Sequence, residues 1–356
     1  GASPGLDAIG MLCLPGPPAG HGASSEERED PMQITPTVRA AMVPDDNPHH
    51  PDFTSIYLVG PQGGQSLAID SGEAFERYRW FLRGYLAAHE QAEIGIAAIT
   101  HHHADHSGNL KWVQETLGAE VSIPKNGRTL LRGRIPTEVN TLADGDVIDL
   151  GQGVRLTVIA TPGHSVDSIS YYLEDEGVLF TGDTLLGSST TTVRDLGPYR
   201  RSLERLLALP NLQVICPGHG TIVRDPRERL QMYINHRNQR ERQILQALAS
   251  GKPMTSWEIM LEVYPDLNPR LRRGADGNVR SHLAQLAEEG RITSHAGKPR
   301  RPNQRRVERE REHARAEDKI LRQAKKIETT RARTLLRAQE NPAGLEWLEP
   351  PRYELA

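Results

Sequence analysis

The chain has 356 residues, 37% of them hydrophobic, and a mean hydropathy of -0.55. That length allows one large domain and a smaller one, and no apolar run approaches the roughly 18 residues a membrane helix needs. The two cysteines, Cys13 and Cys216, are too few and too far apart to suggest a disulfide framework, so a reducing cytoplasm is expected, and the net charge of -3 hides an uneven distribution.

Residues 1–36 read as a flexible leader, with Pro15, Pro17 and Pro18, a charge cluster at 26–30 and no basic signal-peptide n-region. From 37 to 225 short apolar strands alternate with turns and a few helices. Strands are predicted at 55–59, 67–70, 95–100, 120–123, 147–149, 156–160, 168–173, 177–181 and 213–216. Helices are predicted at 73–88, 109–117 and 199–207. The turns Asp144-Gly145-Asp146 and Glu176-Gly177 mark hairpins, and the whole predicts a two-sheet core with helices outside.

Near Asp225 the pattern changes. A long charged helix is predicted over 226–250, then helices at 255–264 and 278–290 and a short strand at 291–293, with Thr255 and Ser281 as caps or first-turn residues. Residues 226–297 thus look like a small winged-helix unit. Residues 298–356 are expected to form a basic helical or disordered tail, because 298–337 carries fifteen Lys and Arg against six Asp and Glu. Such a tail would give salt-dependent, sequence-independent RNA affinity, or serve only as a solvated helix.

The densest chemistry lies in Thr100-His101-His102-His103-Ala104-Asp105-His106-Ser107-Gly108. His101 and His103 alternate, so both can point one way, while His102 should point away and pack or face solvent. The stretch sits where an apolar run ends and a helical one begins, a place where ligands can converge. Three further segments repeat the design: Thr161-Pro162-Gly163-His164, Thr181-Gly182-Asp183 and Pro217-Gly218-His219 each follow a predicted strand and end in a Gly-containing turn. Asp70 ends the strand 67–70 in an equivalent place. One such turn is ordinary; several at successive strand ends point to a metal site.

These residues resemble the metallo-β-lactamase superfamily, whose signature is His-x-His-x-Asp-His, then an isolated His, an Asp and a final His. The resemblance implies a four-layer αββα sandwich over about 37–225. It implies that His101, His103 and His164 hold one metal, that Asp105, His106 and His219 hold a second, and that Asp183 bridges them. Two zinc ions per chain are implied, with iron or manganese tolerated by mixed His and carboxylate ligands. Asp105, His106 and Asp183 would be the catalytic residues, hydrolysing through a bridging water made acidic at neutral pH, and Asp105 would also orient it or carry its proton.

Gly182-Asp183-Thr184-Leu185-Leu186-Gly187, Thr190-Thr191, Cys216-Pro217-Gly218-His219-Gly220 and Tyr233-Ile234-Asn235-His236-Arg237 look like the mitochondrial lactamase-like endoribonuclease family, which joins this domain to a C-terminal winged helix. That branch implies cleavage of single-stranded RNA. The winged unit is read as a wall of the cleft rather than a nucleic-acid reader, or as a homodimer contact. Asn109 stands where the family has a second Gly, and Ser168 where the endoribonucleases have His. The same ligands would serve a small-molecule ester substrate such as a thioester, a lactone or a β-lactam, with Leu186, Ser188, Thr191 and Arg194 as discriminating pocket residues. An iron-dependent oxidoreductase and a non-catalytic nucleic-acid adaptor are the further alternatives, and no membrane partner is expected.

Overall fold

The computed structural model describes residues 33–44, 52–61, 64–88, 93–299 and 346–356. The predicted leader and most of the basic segment lie outside them. The chain divides into two units. The larger carries the described residues up to Thr191 and Gly197–Ile234, and the smaller carries Thr192–Leu196 and those from Asn235 onward.

In the larger unit, seven of the described strands form one sheet in sequence order. They are β1 (Gln33–Thr35), β2 (Val38–Pro44), β3 (Phe53–Val59), β4 (Gln65–Ile69), β5 (Glu93–Ala98), β6 (Glu120–Pro124) and β7 (Asn140–Leu142). The first four pair antiparallel, and β4 to β7 pair parallel. A second sheet runs in the order β12-β11-β10-β9-β8, from β8 (Val147–Asp149), β9 (Arg155–Ala160), β10 (Ile169–Leu173), β11 (Val178–Gly182) and β12 (Val214–Pro217).

Strand alternation builds the layers. Tyr57, Val59, Leu67 and Ile69 of the first sheet share a buried cluster with Leu156, Val158, Tyr171, Phe180 and Cys216 of the second. Their neighbours Ile56, Leu58 and Ala68 point the other way. There they pack with Tyr78, Leu82 and Tyr85 of helix α1 (Glu76–Ala88) and with Leu110 and Val113 of α3 (Leu110–Leu117). Helix α4 (Leu196–Leu207) is fastened to loops of the second sheet, Tyr199 donating to the Thr184 carbonyl at 2.7 Å and Ser202 to that of Pro162 at 2.9 Å. The short α2 (Ala104–Ser107) carries the centre of the His-rich stretch. This is the mixed α/β sandwich expected, and its two inner strand sets converge at their C-terminal ends.

Helix α5 (Pro226–Leu248) starts in the larger unit, and its C-terminal part belongs to the smaller. There Ile244 and Leu248 share a core with Ile259 and Met260 of α6 (Ser256–Val263), with Val279 and Leu283 of α7 (Arg272–Glu288), and with Ile292. Thr255 caps α6 in a full capping box with Glu258. Ser281, by contrast, is buried in mid-helix, because α7 starts six residues before the predicted 278: Gly274 and Gly277 disguise its first turns.

The end of the chain also differs from expectation. Residues 346–356 are not helical tail. β13 (Ile292–His295) pairs antiparallel with β16 (Arg352–Leu355), and β14 (Lys298–Pro299) with β15 (Trp347–Glu349). Pro350 and Pro351 bar a helix there, while Tyr353 alternates inward onto the core of the smaller unit. Among the described residues, no helix is long and apolar enough to cross a membrane.

Candidate metal centre

Strand ends deliver every candidate ligand. His101, His103, Asp105 and His106 follow β5, His164 follows β9, Asp183 follows β11 and His219 follows β12. The structure brings these seven side chains into two groups, His101 with His103, His164 and Asp183, and Asp105 with His106, Asp183 and His219. Within each group the candidate ligand atoms lie within 4.8 Å of one another. Asp183 belongs to both.

The inner atoms are specific. His101 Nε2 and His164 Nε2 lie 2.8 and 3.1 Å from His103 Nδ1, and His164 Nε2 is 3.5 Å from Asp183 Oδ2. On the other side, Asp183 Oδ1 is 3.3 Å from His106 Nε2 and 3.4 Å from His219 Nε2, and Asp105 Oδ2 is 3.1 Å from His219 Nε2. Asp183 therefore turns one oxygen to each group. His106 Nε2 and Asp183 Oδ1 are fully buried with no hydrogen-bond partner, a costly state for polar atoms that an ion between them would relieve. Nitrogen and carboxylate donors converging this closely fit divalent metal ions.

The outer nitrogens fix the rings. Nδ1 of His101 lies 3.1 Å from Thr100 Oγ1, that of His164 2.9 Å from Thr191 Oγ1, and that of His219 3.0 Å from Thr54 Oγ1. His106 Nδ1 donates to Asp70 Oδ2 at 2.7 Å. Asp70 is itself held by the Thr100 backbone N–H at 2.7 Å and adopts a left-handed φ of 65°. Partners of this kind set ring tautomer and orientation. Sequence reasoning placed Asp70 at a strand end and Thr191 in a pocket. It missed Thr54 and Thr100, which carry no motif of their own.

Glycine makes the crowding feasible. A Cβ on Gly218 would stand 2.6 Å from His106 Cε1 and 2.9 Å from Asp183 Oδ1. Asn109, where the family has Gly, is buried and stitches the loop after β4 to the His-rich segment: its side-chain amide donates to the Ser71 and Glu73 carbonyls at 2.9 and 2.5 Å. Ser168 Oγ accepts from the Ser165 N–H at 3.2 Å. Of the expected pocket residues, Leu186 is buried and its N–H donates to Tyr233 at 2.8 Å.

Electrostatics prepare the donors. Burial, followed by the neighbouring His106 and His164, holds His101 well below the ordinary imidazole value, and burial, then His164, brings His103 down to about 4. Both are neutral candidate ligands at pH 7. Burial works against the charged forms of His106 and Asp183 but is outweighed in each. Asp70, Asp105 and Asp183 push His106 up, while His219 and His106 hold the Asp183 carboxyl well below its usual range. The excess of buried carboxylate that protonates His106 is the charge a dication would take over.

His102 points away from both groups, as alternation requires, but it is no mere surface residue. Its Nδ1 donates to Asp167 Oδ1 at 2.8 Å, and the Asp167 side chain is fully buried.

Comparison with known proteins agrees with this geometry. Residues 50–219 match the metallo-beta-lactamase superfamily, and residues 255–300 match the beta-lactamase associated winged helix domain. The Drosophila melanogaster "Beta-lactamase-like protein 2 homolog" is 35% identical over 67% of this chain and 84% of its own length. The Aspergillus fumigatus "Atrochrysone carboxyl ACP thioesterase" is 34% identical over 55% of this chain and 59% of its own. A metallo-beta-lactamase family protein from Thermus thermophilus superposes with a TM-score of 0.62 at 27% identity, covering 74% of this chain and 97% of that one. Ligand geometry, fold and relatives converge: the chain belongs to the metallo-β-lactamase superfamily of hydrolases, in the form that carries a C-terminal winged-helix domain.

Proposed function

We propose that this hydrolase works with two zinc ions and cleaves phosphodiester bonds of single-stranded RNA. The observation that carries the two-ion reading is Asp183, which turns one carboxylate oxygen to each group of candidate ligands. When bound, two dications supply acidity to a water and polarise the scissile group. The chain's own residues do the rest. Thr100, Asp70, Thr191 and Thr54 hold four imidazoles so that their lone pairs face inward. Asp105, with its side chain 12% exposed, is the acidic group positioned to orient the attacking water and to hold its proton on a carboxylate oxygen. Support for RNA as substrate comes from the winged-helix domain joined to the hydrolase domain and from the likeness of the Asp183 and His219 segments to the lactamase-like endoribonucleases.

A second reading, thioester hydrolysis, is favoured by the likeness to a carrier-protein thioesterase over 55% of the chain. One experiment separates them. The zinc-loaded full chain is given a labelled single-stranded RNA and an acyl-thioester in parallel. RNA cleavage lost in Asp183→Ala supports the proposal. RNA cleavage that survives in that variant marks a contaminating nuclease, and turnover of the thioester alone assigns the second reading.

A further inference from the structure

His103 is the odd member of the cluster. It alone turns Nδ1 inward, and among the described residues its outer Nε2 takes no hydrogen bond, whereas the outer nitrogens of His101, His106, His164 and His219 are each held by a side chain. Something else must set its ring. Three imidazoles flank it edge-on: His101 at 4.5 Å between centroids, His164 at 4.9 Å and His102 at 4.7 Å with planes at 63°. The first two are candidate ligands of the same ion. His102 is not.

His102 is fixed from both sides. Its Nδ1 donates to Asp167 Oδ1 at 2.8 Å, its carbonyl accepts from Ser107 Oγ at 3.0 Å, and the same carbonyl accepts from Arg134 Nη2 at 2.7 Å. Asp167 also accepts from Ser165 Oγ at 2.5 Å, next to His164 in the chain, so one carboxylate ties the His101–His103 loop to the His164 loop. These three residue types are those of a nucleophilic triad, but the geometry is different. Ser165 Oγ meets His102 at Nδ1, 3.2 Å away and the same nitrogen that faces Asp167, so no proton path runs from serine through the two ring nitrogens to aspartate.

Asp167 is poorly explained as a stabilising group. Its side chain is fully buried, yet Oδ2 has no partner, and a Cβ on Gly127 would lie 2.8 Å from that oxygen. A buried carboxylate with one oxygen unpaired costs stability. What it contributes is the fixed place of His102. We propose that His102, pinned by Asp167, is a positioning residue whose ring forms the side wall that orients His103 for the first metal ion.

This rests on the two-ion reading of the site. The test is metal binding by the full chain, measured by zinc titration against a chromophoric chelator and by the visible spectrum of the cobalt form. Outer partners of metal-binding histidines typically contribute about 10–100-fold in affinity. His102→Ala and Asp167→Ala should each weaken one of the two ions about tenfold or more, leave the other unchanged and alter the cobalt spectrum. His102→Asn keeps a donor for Asp167, and with it the local fold, but lacks the ring, and it should show the same selective loss. Asp167→Asn, which retains an acceptor for Nδ1, should bind both ions. Wild-type affinity for both ions in His102→Asn would overturn the wall role. A wild-type chain that binds no more than one ion would instead overturn the two-ion reading beneath it.

Discussion

Asp70→Asn tests how the second group of ligands is prepared. The change keeps size and shape, and Asn tolerates the left-handed backbone at this position, where φ is 65°. In the wild type, Oδ1 accepts from the Thr100 N–H at 2.7 Å, while Oδ2 faces His106 Nδ1 at 2.7 Å. An amide has only one oxygen. If it stays on Thr100, the amide nitrogen faces His106 Nδ1 and must donate to it. The imidazole proton then moves to Nε2, the atom that faces Asp183 and Asp105, and a protonated nitrogen cannot bind metal. If the amide flips, its nitrogen opposes the buried Thr100 N–H, an arrangement costing about 1–3 kcal/mol. Either way the second ion should bind about 10–100-fold more weakly, or about 1.4–2.7 kcal/mol. Chelator competition on the full chain reads this directly, as one tight ion retained and one weakened. Tight binding of both ions by Asp70→Asn would refute the tautomer argument.

Gly218→Ala should fold but lose ions at least tenfold faster to a chelator, because its Cβ would press on both His106 and Asp183; unchanged ion loss would mean that the loop yields. Thr255→Ala removes a full capping box and should destabilise the smaller unit by about 1 kcal/mol, read by urea unfolding. His236 is held down at about 3 by burial, then by Arg237 and Arg240, and its Nε2 accepts from Arg240 Nε at 3.3 Å. Its folded value lies below the unfolded 6.5, so the unfolded chain takes up a proton first and stability falls as pH drops from about 6.5 toward 3. Between pH 6.5 and 4.5 that loss is roughly 2–3 kcal/mol, and His236→Gln should unfold in urea with a correspondingly flatter dependence. An equal slope in the variant would assign the acid sensitivity elsewhere.

The site was more legible in the sequence than its supports. His164, Asp183 and His219 each stand just after an apolar strand and announce themselves by residue type and position. The threonines that hold the rings do not, because Thr54 lies within β3 and Thr100 two residues past β5, neither in a motif, until folding brings Thr54 within 3.0 Å of His219, 165 positions away. Strand β2 escaped prediction because Val38–Pro44 has a run of small apolar residues buried on both faces and no alternation to read. The early start of α7 was hidden by two glycines. The strands at 347–355 were masked by the charged stretch before them, since composition outweighed the short alternation around Tyr353.

The pairing of Pro299 with Trp347 and of Ile292 with Leu355 changes how the arginine-rich stretch between them should be handled. The described residues on either side of 300–345 are held in antiparallel pairs. Cutting the chain at 300 would undo that. It would strip Tyr353 from its two backbone bonds to Met254 and leave β13 as a bare edge open to other chains. Excision of residues 300–345 with a short Gly-Ser bridge, rather than truncation, is therefore the operation that separates their charge from the paired strands.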